Sequence, residues 1–126
     1  MSEDRFQKYI EDIEPTLTCE RFLDKYKKEV EAIKKRKNYD KHLNYFKALS
    51  SELRVLIFNL LQKHPMCTCA LSKIFNKSEA TISHHLKKLE DAKLVIGKKE
   101  GYYTLYYTKH SFTKELKNMI IHSVNV

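Results

Sequence analysis

Two cysteines separated by a single threonine, Cys67 and Cys69, sit in the segment PMCTCALSKIF, and Cys19 is the only other cysteine in the chain. Thiolates bind soft ions and take part in redox exchange, so the pair is a candidate for chemistry. Local conformation decides whether it acts as a pair. On a regular helix, residues two apart point roughly 200° away from each other, and the two sulfurs cannot hold one ion. In an extended segment they share a side. A chelating pair therefore requires Cys67 outside the helix that follows, or that helix's first turn opened. A disulfide between positions i and i+2 is expected to be strained, so oxidation would call on Cys19 or a sulfur from a partner molecule.

The elements around the pair are mostly helical. Only two glycines and two prolines occur, which favours long regular elements. Residues 3–14 read as a weak helix ending before Pro15, and a second helix runs from about Thr18 to Lys37 with Phe22, Leu23, Tyr26, Val30 and Ile33 as its apolar stripe. Leu43, Phe46 and Leu49 recur at helical spacing. Ser50 and Ser51 then cap ELRVLIFNLLQKH, whose apolar face comprises Leu53, Leu56, Ile57, Leu60 and Leu61, and Pro65 ends it. A short helix follows, with Thr68 as candidate cap and Leu71, Ile74 and Phe75 directed inward. After the turn at Asn76-Lys77, Ser78 caps EATISHHLKKLEDAK, in which Ile82, Leu86 and Leu89 form the buried stripe. Thr81, His84 and Lys88 share the opposite face.

The period then changes. LVIGKKE and YYTLYYT read as two strands joined at Glu100-Gly101, and a last helix spans about Ser111 to His122 with Phe112, Leu116, Met119 and Ile120. The expected architecture is mainly α with a β-hairpin wing, a winged helix-turn-helix. Residues 1–37 form an N-terminal helical extension, and residues 38–126 the DNA-binding and dimerisation domain.

Charge points to a polyanion. The chain carries a formal +8, and it is unevenly spread: residues 1–20 hold two basic and six acidic side chains, residues 21–47 ten basic and four acidic. No apolar run approaches the roughly 18 residues of a membrane span, and MSEDRFQKYI is not a signal sequence, so a cytoplasmic location and no membrane partner are expected. A helix fits the major groove of duplex DNA. Ser78, Thr81, Ser83 and His84 would meet bases or phosphates, Lys87 and Lys88 would neutralise phosphates, and the tip formed by Lys98, Lys99, Tyr102 and Tyr103 would follow the backbone or minor groove. The plainer readings are solvated lysines, hairpin tyrosines and a His84/His85 pair split between surface and half-buried positions. The order of the elements decides for DNA. Gly97 and Gly101 form no phosphate loop, no paired carboxylates fall on a pocket, and the chain is expected not to be an enzyme.

FKALSSELRVLIFNLLQ, MCTCALSKIF, SEATISHHLKKLEDAKLV and KKEGYYTLYYT together resemble the ArsR/SmtB transcriptional repressors, in the family's order and spacing over about Tyr45 to Thr108. The resemblance implies a homodimer that binds an inverted repeat in a double-stranded operator, represses transcription, and leaves the DNA on sensing an inducer. It implies dimerisation through the last helix and one N-terminal to the core. Residues 1–37 exceed the family pattern, and Glu79 and Ala80 stand where uncharged polar contacts are common.

Metal-responsive members carry Cys-x-Cys where Cys67 and Cys69 stand, with a third thiolate from elsewhere, for which Cys19 is the candidate. Three soft thiolates suit As(III), Sb(III), Bi(III) or Pb(II); a fourth ligand such as His64 would admit Cd(II) or zinc. The family's other site, Asp-x-His with a later histidine pair, is not matched: Thr108 replaces the aspartate, Ile121 a histidine, and His110 and His122 read as surface residues. Three readings of the sulfur pair stay open: a metal or metalloid sensor, a redox or persulfide sensor, and small part-buried fillers in a regulator without metal response. A nonspecific architectural DNA binder is the remaining alternative for the whole chain.

Overall fold

A computed structural model describes residues 2–109 together with Lys114 and Glu115. The chain divides into two compact units, Met1–Asp40 and Lys41–Val126. The first is a helical pair, α1 (Ser2–Ile13) and α2 (Cys19–Lys34). Thr18 caps α2, its hydroxyl accepting from the Arg21 N–H, and Phe22 of α2 meets Phe6 and Tyr9 of α1 edge-on at 5.5 and 5.9 Å. The second helix stops three residues short of the expected Lys37, and Asn38 takes a left-handed φ of 67° before α3 (Tyr39–Ala48).

The second unit is built on α4 (Glu52–Lys63), α5 (Thr68–Phe75) and α6 (Glu79–Asp91), followed by the hairpin β2 (Val95–Glu100) and β3 (Tyr103–Thr108). Its core gathers Tyr45, Ile57, Phe58, Leu61, Leu71, Ile82, Leu86, Leu89, Leu94 and Val95. The expected stripe of α6 is fully enclosed. Three other expectations differ. Ile74 is 53% exposed, at the edge of the α5 face that Leu71 buries. Tyr45 and Ala48, rather than Leu43 and Phe46, face the core from α3, and Leu56 of α4 is exposed while Phe58 is not. Both faces of these helices carry apolar residues, so periodicity alone could not choose between them.

A third strand was not foreseen. Met66–Cys67 forms β1, pairing antiparallel with β3 at Met66–Tyr106 and Cys67–Leu105, so the sheet order is β1-β3-β2. Two residues are too few to show a period. Gly97 of β2 faces Tyr106 so closely that an added Cβ would lie 3.0 Å from the ring, and Gly101 turns the hairpin with φ +63°.

Of the expected last helix only Lys114 and Glu115 are described; Phe112, Leu116, Met119, Ile120, His110 and His122 lie outside the described residues. Glu115 is held on α3: Tyr45 Oη donates to its carboxylate at 2.6 Å, Lys41 Nζ at 2.8 Å, and His42 Nε2 lies 3.8 Å away. Burial pushes the Glu115 carboxyl up, but the hydrogen bonds from Lys41 and Tyr45 outweigh it and the carboxylate is favoured.

The α6 stripe is fully buried in the core. Leu86→Ala should cost about 2–5 kcal/mol of stability, read as a lower urea midpoint at unchanged slope; a loss below about 1 kcal/mol would show that α6 is not held by this stripe.

Candidate functional site

The turn between α5 and α6 is made by local capping. Asn76 adopts the left-handed conformation (φ 53°), and the Lys77 N–H donates to the Ser72 carbonyl at 3.1 Å, closing α5. Ser78 opens α6 two residues later. Its hydroxyl accepts from the Thr81 N–H at 3.1 Å and lies 2.9 Å from Thr81 Oγ1, donating to it. With one acceptor site filled, the exposed Thr81 hydroxyl keeps its own proton to donate.

With Ile82, Leu86 and Leu89 at 0% exposure, the rotation of α6 is fixed, and Thr81, His84, Lys87 and Lys88 face outward. Ser83 is exposed as well, but it lies roughly 200° round the helix from Thr81 and shares the flank of Lys87. Lys87 is 3.7 Å from Asp91 in an exposed i,i+4 pair. Lys98, Lys99, Tyr102 and Tyr103 cluster at the hairpin tip, where Tyr102 is 96% exposed and Lys98 Nζ sits 5.4 Å from the Tyr107 ring centre. All ten expected DNA-facing residues are therefore exposed, on a helix front and a hairpin tip.

Arg54 was missed as a positioning residue. Its Nε donates to the Ala48 carbonyl at 2.5 Å and its Nη1 reaches His85 Nδ1 at 3.0 Å, joining the end of α3 to α4 and α6. A guanidinium only donates, so His85 accepts through Nδ1 and keeps its proton on Nε2. Exposed charge patterns do not reveal such a link; only the half-buried reading of His85 hinted at it.

The sulfur pair has the local conformation that chelation requires. Cys67 is not in the helix: it is the N-cap of α5, extended at φ −84° and ψ 165°, and its Sγ accepts from the Ala70 N–H at 3.2 Å. Thr68, the expected cap, is instead the first helical residue. Cys67 and Cys69 lie with Cα atoms 5.3 Å apart and their sulfurs joined in a disulfide. The pairing is direct, without Cys19 or an outside sulfur, because the extended cap turns both side chains to one side. The segment is also tied to the wing. Burial raises the hydroxyl of Tyr106, the β3 partner of Met66, above the ordinary tyrosine range, Glu90 adds to the rise, and a hydrogen bond with Thr68 opposes it.

Cys19 is a free, half-buried cysteine of the N-terminal unit, and His64 is exposed at the end of α4. Among the described residues no three His, Cys, Asp or Glu side chains form a metal-holding group. Reduced, Cys67 and Cys69 would supply two soft ligands, with a helix N-terminus favouring thiolate. That donor set fits a thiophilic ion.

A helix presented beyond a capped turn, beside a basic hairpin, defines a winged helix-turn-helix DNA-binding domain. A sequence model described as bacterial regulatory protein, arsR family, matches residues 51–96. An uncharacterised HTH-type transcriptional regulator of Methanocaldococcus jannaschii is 35% identical over 83 residues, covering 65% of this chain and 93% of that one. The arsenical resistance operon repressor of Staphylococcus xylosus is 36% identical over 75 residues, covering 60% and 72%. An ArsR-like transcriptional regulator from Rhodococcus sp. RHA1 shares the fold at a TM-score of 0.63 and 23% identity, over 70% of this chain and 82% of that one. The chain belongs to the ArsR family of transcriptional regulators. Among the described residues no helix is long and apolar enough to cross a membrane.

His85 gives the site a pH dependence. Burial first, then the charges of Arg54, His84 and Lys77, hold its pKa below the ordinary histidine value of about 6.5. As pH falls, the unfolded chain takes this proton before the folded one does. The contribution to stability is thus complete above about pH 6.5 and is lost as pH falls from there toward the lowered folded value. Thermal melts at about pH 8 and about pH 5 should show a drop that is smaller in His85→Gln; an equal drop in both would remove His85 from the account.

Proposed function

We propose that this chain is a homodimeric cytoplasmic repressor that binds an inverted-repeat operator and is released by a thiol-binding inducer at Cys67 and Cys69, with Cys19 as third ligand. Thr81, His84 and Lys88 read the major groove, Lys87 and Ser83 flank them, Ser78 lends its N–H end, and Lys98, Lys99, Tyr102 and Tyr103 follow the backbone. The observation that carries the inducer reading is the extended Cys67 cap, which turns both sulfurs to one side at the foot of α5. Leu71 of α5 shares one core cluster with Ile82, Leu86 and Leu89 of α6. Closing the sulfurs on an ion in place of a disulfide changes the first turn of α5, and close packing passes the change to α6. Three soft ligands favour As(III), Sb(III) or Pb(II); Cd(II) needs a fourth, for which His64 is the candidate.

A second reading has its own support. Because Cys67 and Cys69 pair directly, oxidation and reduction of the dithiol could act on the same turn without an ion.

The test is operator binding by the reduced protein, with random DNA at matched salt as reference. Operator affinity should exceed random affinity by at least about 10³-fold and fall steeply with salt. As(III) or Pb(II) should release the operator from the native chain and leave Cys67→Ser/Cys69→Ser bound. Equal affinity for both DNAs would indicate a nonspecific architectural binder. Release by an oxidant, with no response to As(III), Sb(III), Pb(II) or Cd(II), would favour the redox reading.

A further inference from the structure

The second helix of the N-terminal unit contains no buried residue, although it is rich in apolar ones. Leu23, Val30 and Ile33 are 42%, 48% and 40% exposed. Phe22 and Tyr26 turn one flank to each other, with rings 4.6 Å apart, and Phe22 meets α1. The remaining stripe has a regular spacing. Cys19, Leu23, Tyr26, Val30 and Ile33 follow one another by four, three, four and three residues, the alternation of a coiled-coil seam with Leu23 and Val30 at a and Cys19, Tyr26 and Ile33 at d.

The flanking charges select the occupant of that seam. In this register Phe22 and Glu29 stand at g, and Glu20, Lys27 and Lys34 at e. A parallel, in-register second copy sets Glu29 against Lys34 of that copy, twice by symmetry. An antiparallel copy would set Glu29 against Glu29 and Lys27 against Lys27, cancelling the gain from its two Glu20–Lys34 pairs. We infer that α2 is an interaction surface for α2 of a second copy of this chain, forming a parallel two-stranded seam with the two Cys19 residues facing each other at one end while no ion holds them. At 16 residues the helix is too short to dimerise well alone. The seam therefore adds to a dimer held elsewhere, where tethering raises the effective concentration. In that respect it rests on the homodimer of the preceding section.

The experiment uses the full chain with Cys67→Ser and Cys69→Ser, so that Cys19 is its only thiol, and copper-phenanthroline as oxidant. Light scattering should give twice the chain mass, and oxidation should give a disulfide-linked dimer on a non-reducing gel. Glu29→Lys should slow that cross-link roughly ten-fold, as two ion pairs become two like-charge contacts. The swap Glu29→Lys/Lys34→Glu should restore it, which a general folding defect would not allow. A dimeric mass without a Cys19 cross-link, or one indifferent to the charge reversal, would overturn the seam and leave the dimer standing. A monomeric mass would overturn both.

Discussion

The enclosed stripe Ile82–Leu86–Leu89 fixes what the rest of this molecule can do. A helix with three fully buried residues on one side has one permitted rotation, and that rotation determines which side chains meet solvent. Close packing leaves little slack, so whatever moves Leu71 beneath the stripe also moves the outward face. Arg54 reinforces the constraint from the side, with one nitrogen on the end of α3 and another on His85. The orientation of the exposed α6 face thus depends on apolar contacts that never reach the surface.

The same reasoning gives the sulfur pair its place. Cys67 pairs with Leu105 in the sheet, caps α5 through the Ala70 N–H, and bonds to Cys69. One residue therefore joins the wing, the supporting helix and the candidate sensing chemistry. Serine at this position could still cap the helix, whereas chelation requires sulfur. This separation makes a cysteine-to-serine change informative about sensing rather than about folding.

Much of this was legible in the residues themselves. Capping serines at 51 and 78 set the starts of α4 and α6, and the stripe of α6 announced itself by its spacing. The exposed set on α6 and the wing followed from helical and strand geometry. Other features depended on partners distant in the chain. Two residues of β1 become a strand only because β3 lies beside them, and Glu115 finds Lys41 and Tyr45 across 74 and 70 positions. Thr68 lost the cap because a cysteine sulfur, a weak acceptor, stood one residue earlier in the extended conformation the cap demands. Leu56 yielded its expected place to Phe58 because apolar residues occupy more than one face of α4.

If the turn at Cys67–Cys69 governs how α6 is held, an ion bound there must be felt along α6. Hydrogen exchange at individual amides of the reduced chain, with and without one equivalent of As(III), tests it most directly. Altered protection is expected at Ala70 in the first turn of α5 and, together with it, along α6 from Thr81 to Leu89. A change confined to α5, with α6 untouched while the operator is nonetheless released, would contradict it.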